Sequence, residues 1–248
     1  MFAAERQEIF FRRFRGEAGP WTSDPVLRSF KFTNAYRASD RVSQYLIQRV
    51  IYRNDLPAEP REVVFRILLF KLFNRIETWH LLERAHGPIL EAEFQPKRVA
   101  RSLEAALQRG EAIYNGAYIM PPASRFGHKR KHANHLALLQ RMMKDDLPER
   151  LGDCRSMQQA YELLVSYPYI GSFLAYQFVT DLNYSPITNF SEREFVVPGP
   201  GARSGLAKCF SDRGGLSEEE MIRFVADRQE QEFAARGITF RSLWGRPL

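Results

Sequence analysis

The chain has 248 residues, with 36 Lys and Arg against 29 Asp and Glu, a net charge of +7. That excess favours a polyanionic partner, and two cysteines, Cys154 and Cys209, are too few for a disulfide framework and lack metal-ligand spacing. The longest apolar run, 63–73, is interrupted by Arg66 and Lys71, far short of the ~20 residues of a membrane span. The first 17 residues mix charge into every turn, unlike a signal peptide, so a cytoplasmic protein away from any membrane is expected.

In chain order, residues 3–16 read as a short amphipathic helix, followed by a loop at Gly19-Pro20. Ser39 reads as the N-cap of a helix over 40–53, with Asp40 near its positive end and Val42, Tyr45, Leu46 and Val50 as its buried stripe. Pro60 stands at a first-turn position and opens a helix over 61–84 that is apolar on most faces, hence central to the core; Gly87-Pro88 ends it. Pro96 and Gly110 bracket another helix. Residues 111–127 are irregular. Further helices follow at 130–145, 156–167 and 172–182, then a loop-rich segment at 183–215 and a last helix at 217–235. Glu194 to Val197 is the only strand candidate. The pattern predicts an all-α fold, one compact helical unit over 1–248.

Five constellations carry chemical content. Asn34, Arg37, Asp40, Arg41 and Gln44 place two guanidinium forks and an amide near a helix start, a sound anion site or else a capping ion network. Asn74-Arg75-x-Glu77 puts charges at the end of a helix that otherwise reads as buried, so they line a cleft or pair with each other. Tyr167-Pro168-Tyr169-Ile170-Gly171-Ser172 is a tight turn between helices, either a helix–hairpin–helix that holds a DNA phosphate or a plain αα-hairpin. Tyr169 stands where glycine is usual. Gln177, Asp181, Asn183 and Tyr184 offer amides, a carboxylate and an aromatic face suited to an extruded base, or else cap and pack the helix end. Gly199 and Gly201, beside Arg203, can bring bare amides to a phosphate. His128, His132 and His135 have helical metal-ligand spacing, but Lys129, Arg130 and Lys131 repel a cation, so no metal is expected and a basic, phosphate-facing helix fits better.

Taken together, the stretches FKFTNAYRASDRVSQYLI, FNRIETW, NGAYI, YPYIGSFLAYQFVTDLNYS and EFVVPGPGARSGLAKCF, over 28–215, resemble the α-glutamyl/putrescinyl thymine pyrophosphorylase group. That group shares its helical domain with 5-hydroxymethyluracil DNA kinases and belongs to the helical, helix–hairpin–helix DNA glycosylase-like proteins of base-hypermodification systems, many in phages. The resemblance favours the functional readings of the first, fourth and fifth constellations. It implies a transferase that replaces the phosphate or pyrophosphate on the 5-hydroxymethyl group of a thymine-like base in double-stranded DNA with the amine of an amino acid or polyamine. Arg37 and Arg41, with Arg203, would absorb the leaving group's charge. Glu77 or Asp181 would take a proton from the ammonium. Asn34, Gln177 and Asn183 would read the base and Tyr184 would stack on it, with Asp40, Gln44, Arg75, Asn115 and Tyr118 also in contact with substrate. Ile170, Gly171, Ser172, Gly199, Gly201, Lys129, Arg130 and Lys131 would meet the DNA backbone. No cofactor is implied; Mg²⁺ is not called for by any motif.

Two departures qualify the expectation. Base-excision glycosylases of this fold place an aspartate about twenty residues beyond the hairpin glycine, where this chain has Ser191 and Glu192; that argues against excision, although Glu192 or Glu194 stands near enough to substitute. Relatives also continue past the stretch TFRSLWGRPL into a further tail, so truncation at Leu248 is an expectation. No G-x-x-x-x-G-K-[ST] phosphate loop is present, which excludes a kinase of that type. The rival readings are a glycosylase or lyase that removes a modified pyrimidine and a non-catalytic DNA-binding module that serves a base kinase. Neither the amine nor the oligomeric state is encoded in a motif.

Overall fold

A computed structural model describes residues 1–243, among which every regular element is helical and no strand occurs. The last five residues of the TFRSLWGRPL stretch lie outside the described residues. The strand candidate at 194–197 is irregular chain ending a turn; alternation over four residues is too short to find a pairing partner in an all-helical chain. No described helix is long and apolar enough to cross a membrane. The residues group into two compact units, 44–197 and a second made of 1–43 with 198–248.

Unit 44–197 is built around α4, Pro60–Phe73, which is buried from Val63 to Phe73, as its apolar residues on every face require, with Arg66 and Lys71 buried among them. It packs against the π-helical segment Leu46–Ile51, which continues α3 (Arg41–Tyr45), and against three later helices: α7 (Lys131–Lys144), α8 (Leu147–Gly152) and α10 (Ser172–Leu182). The helix expected over 61–84 breaks at Asn74, which adopts a left-handed conformation with φ 48°, and α5 restarts at Ile76–His86. Asparagine tolerates that region because its short amide bonds locally. Here the Asn115 backbone N–H donates to the Phe73 carbonyl and its side-chain amide to the Asn74 carbonyl, at 3.0 and 3.1 Å. These partners lie forty residues away, so the break carries no local glycine or proline signal.

α6, Pro96–Gln108, has the proline start and glycine stop read from the sequence, with Gly110 at φ 79°. α7 is a core helix whose exposed residues are Gln140, Arg141 and Lys144, with Lys131 half-buried; His132 and His135 are buried and serve packing. His135 Nε2 donates to the Pro121 carbonyl at 2.6 Å, and Nδ1 accepts from the Tyr114 hydroxyl at 2.9 Å. Burial pushes the imidazole down to about 4 and the Tyr114 phenol up. The unfolded chain therefore binds this proton first: stability is full above about pH 6.5, falls as pH drops, and levels off near pH 4, by about 3 kcal/mol. Urea titrations at pH 7, 5 and 4 should show that loss shrinking in His135→Gln.

α9, Met157–Val165, and α10 form the expected hairpin. Tyr169 has φ 68°, the conformation for which glycine is usual at this place. The cost of a side chain there, about 1–2 kcal/mol, is offset by its hydroxyl, which accepts the Arg125 backbone N–H at 2.5 Å. Tyr169→Phe should lose about 1 kcal/mol in thermal or urea unfolding, and an unchanged midpoint would mean that the hydroxyl contributes nothing.

In the second unit, α1 (Phe2–Phe14) precedes α2 (Pro25–Ser29), a short helix capped by Asp24 that the sequence reading missed. Ser39 does not cap a helix over 40–53. It ends a 3₁₀ turn, Arg37–Ser39, and donates to the Tyr36 carbonyl at 2.6 Å; Asp40 is extended and α3 starts at Arg41. The segment read as loop over 183–215 contains α11, Pro200–Cys209, opened by a first-turn proline. The last helix, α12 (Glu218–Ala235), starts at Ser217 in a reciprocal capping box with Glu220.

Candidate functional site

The charged centre of unit 44–197 lies where α4, α10 and the 113–120 segment meet. Lys71 Nζ stands 2.5 Å from Asp181 Oδ2, both side chains 3% exposed. The same ammonium donates to Asn74 Oδ1 at 3.1 Å and sits 4.4 Å from the centre of the Tyr118 ring. Two charges buried this deeply cost several kcal/mol each in lost hydration, which attraction at close range and added hydrogen bonds must return. Each partner has a reason to be there. Lys71 is three residues before the helix break, so its side chain reaches the Asn74 amide. Asp181 is the penultimate residue of α10, and Tyr118 is brought in by Asn115, whose two bonds to 73–74 pin the segment.

Three separated sequence stretches thus converge: FNRIETW, NGAYI and the AYQFVTDLNYS part of the hairpin segment. Asp181, Asn115 and Tyr118 are drawn together from the residues named on sequence grounds. Lys71, the residue that ties them, reads in the sequence only as an interruption of an apolar run; the signal available is a charge, shared only with Arg66, on a helix otherwise apolar between Val63 and Phe73. The rim is half-buried: Asn74, Arg75 and Asn115. Arg75 begins α5 and lies 3.4 Å from Glu77, which is exposed, so the two charges of the second constellation pair with each other. Gln177, half-buried, occupies the face of α10 one turn before Asp181.

Other residues serve the framework. Asn183 bonds Phe190 twice: its amide donates to the Phe190 carbonyl at 3.0 Å and its side-chain oxygen accepts the Phe190 N–H at 2.8 Å. The Tyr184 carbonyl accepts from the Tyr52 hydroxyl at 3.0 Å. Ile170 is buried and its N–H is spent on the Tyr167 carbonyl, whereas Gly171 and Ser172 are exposed at the start of α10. Arg130 pairs with Glu104 at 2.5 Å, Lys131 lies over the Tyr114 ring, and Lys129 is exposed. Among the described residues no group of three or more His, Cys, Asp or Glu is placed to hold a metal ion. A pocket of about 340 Å³ in this unit is lined by Leu69, Leu82, His86, Leu90, Phe94 and Arg98 among others, and none of the catalytic, substrate-binding or DNA-binding candidates from the sequence lines it.

The other unit holds the fifth constellation and, of the first, Asn34, Arg37, Asp40 and Arg41, whereas Gln44 falls in unit 44–197. Arg6 Nη2 donates to the Asn34 carbonyl at 2.9 Å, the Asn34 N–H donates to Asp40 Oδ1 at 2.9 Å, and its side-chain amide donates to the Ser39 carbonyl at 2.9 Å. Burial pushes the Asp40 carboxyl up, while the Asn34 N–H and the charges of Arg37 and Arg6 pull it down. Arg37 therefore neighbours Asp40 from its own 3₁₀ turn, and Arg37 and Arg41 do not share one helix. Gln44, in α3, accepts from Gln48 at 2.9 Å. Gly199 is the N-cap of α11 with Gly201 in its first turn, and Arg203 pairs with Glu218 of α12 at 2.9 Å. Arg6, unremarked in the sequence, is what fixes the 33–34 backbone.

An all-α chain with a buried charged centre fed by separated motifs is a helical domain, unlike a nucleotide-binding α/β kinase. The family described as 5-hmdU DNA kinase, helical domain, matches residues 1–248, and the chain belongs to that family. It is also similar to the 5-hmdU DNA kinase of Bacillus phage SP10, 26% identical over 253 residues, covering 96% of this chain and 39% of that protein. The chain thus spans about two fifths of that curated relative. No solved structure matches it.

Proposed function

We propose that this chain acts in thymine hypermodification, as a helical domain that binds double-stranded DNA at a 5-hydroxymethyluracil-derived base and transfers an amine to it. The convergence of three motifs on the buried Lys71–Asp181 pair carries this reading, because such a pair is a costly way to hold a helix bundle together and an apt way to fix a recognition surface. In the transfer, the C–N bond forms at the 5-methylene carbon as the C–O bond to phosphate or pyrophosphate breaks. The departing anion takes the bonding electrons, and the new ammonium gives up a proton. Arg37 and Arg41 would meet developing negative charge, with Arg203 contributing once released from Glu218. Glu77, the exposed carboxylate of the pair considered, would accept the proton. Asp181, held against Lys71, would position the base-reading groups Gln177, Asn115 and Tyr118. In this reading the 167–172 hairpin and Lys129 to Lys131 of unit 44–197 would follow the DNA backbone, Gly199 and Gly201 of the other unit would meet phosphate, and the chain works in host cytoplasm.

A second reading, a DNA-recognition domain that serves a base kinase, is favoured by the similarity to the phage 5-hmdU DNA kinase and by the two-fifths span. One experiment tests both. Duplex DNA carrying pyrophosphorylated 5-hydroxymethyluracil is incubated with the protein and a mixture of amino acids and polyamines, then digested to nucleosides and weighed. An added amine mass supports transfer. Bound DNA with unchanged nucleosides supports the recognition domain, and an abasic site would mean base removal.

A further inference from the structure

α2 mounts an unshielded apolar pair that the charged centre does not use; Phe30, its second member, opens the stretch FKFTNAYRASDRVSQYLI. Val26 is 51% exposed and Phe30, its C-cap, 70%. They stand four residues apart and therefore on one side of the turn. The mount is firm. Leu27 is buried beneath it, the Asp24 carboxylate accepts from the Val26 and Leu27 N–H groups at 2.8 and 3.0 Å, and the Asp24 N–H donates to the Thr22 hydroxyl at 3.0 Å. Thr22 in turn donates to Glu5 of α1 at 2.5 Å. On the far side, Arg6 holds the 33–34 backbone with bonds of 2.9 Å to the Thr33 and Asn34 carbonyls. Arg28 and Lys31, the charged residues beside the pair, are both exposed and make no side-chain hydrogen bond or ion pair among the described residues.

A rigidly backed aromatic ring in water, flanked by two cations that no carboxylate pairs with among the described residues, the Asp24 carboxylate being held by the Val26 and Leu27 N–H groups, is complementary to a surface with flat apolar faces and regular negative charge. We infer that the 25–31 segment is a DNA-contacting element in which Phe30, backed by Val26, wedges against or between base pairs while Arg28 and Lys31 bind the flanking phosphates. A Phe ring inserted at a base step partly unstacks it, at a few kcal/mol, and that opens a neighbouring base to inspection. This inference rests on the reading that the protein binds double-stranded DNA, and it assigns the surface that does so.

The test uses the full chain and a fluorescent duplex containing 5-hydroxymethyluracil next to 2-aminopurine. Anisotropy titrations over a range of salt give affinity and its salt slope, and 2-aminopurine emission reports unstacking. F30A should weaken binding about 5- to 100-fold, the range for loss of one base–aromatic contact, abolish the rise in emission and leave the salt slope unchanged. R28A/K31A should lower the slope by about 2 while the protein still unstacks DNA at low salt. Both changes fall on exposed side chains, so unfolding midpoints should stay at the wild-type value and serve as the control. Wild-type affinity, slope and emission in both variants would overturn the assignment while leaving DNA binding intact. So would binding to vesicles of anionic phospholipid that the same substitutions abolish. Failure of the wild-type chain to bind the duplex at all would instead defeat the underlying DNA reading.

Discussion

Lys71→Met should lower the stability of the protein by about 3–5 kcal/mol, because it leaves Asp181 as an uncompensated charge in a site closed to water. Against a total of about 5–15 kcal/mol for a typical domain, that is enough to shift a urea midpoint markedly. Asp181→Leu should cost a similar amount by stranding the ammonium, even though the Asn74 amide and the Tyr118 ring still face it. The double variant Lys71→Met/Asp181→Leu separates structure from function. With both charges gone and the volume filled, most of the lost stability should return, since apolar replacement of a buried pair is often neutral or stabilising. Modification of DNA should not return with it. A double variant as active as the wild type would reduce the pair to a packing device and remove the observation on which the proposed function rests.

Arg37→Ala should lower turnover by about 10²–10³-fold, the usual cost of removing one charge-stabilising donor from a transition state, with DNA affinity changed only a few-fold. The fold should survive, because the Asn34 N–H and Arg6 still attend Asp40 and the 3₁₀ turn is held by backbone and Ser39 bonds. Single-turnover nucleoside analysis alongside DNA anisotropy measures the two quantities on one preparation. Equal losses in both would make Arg37 an ordinary phosphate contact. Arg203→Ala offers a contrast: this side chain is engaged with Glu218, so its removal should act on turnover less than Arg37→Ala does.

The two units differ in how visible they were in the chain. α4 announced itself through eleven buried positions in a row, with a proline at its first turn. α6 did so through its proline and glycine ends. These are local signals, and local physics writes them. α2 and α11 were missed because each is short or opens with a Pro-Gly pattern that equally well marks a turn. The break at Asn74 was missed for another reason: nothing near Asn74 forbids a continuous helix, and what holds the left-handed residue is Asn115, forty-one positions away.

The candidate site divides along the same line. Residue type and helical spacing were enough to nominate Asp181, Arg37 and Asp40 as chemically interesting, Asn115 and Tyr118 came only with the family resemblance, and five ordered stretches were enough to place the chain with its helical-domain family. Which of the nominated groups meet, and which are spent on the framework, depended on three-dimensional packing. Asn183 is consumed by Phe190 and Ile170 by the core, while an unremarked lysine becomes the hub of the polar centre. The physical reason is range. Capping, periodicity and proline effects act over one or two helical turns and are therefore written in consecutive residues. The desolvation of a charge and the partner that compensates it are set by whichever distant segments exclude the water around it, and only the folded chain chooses those.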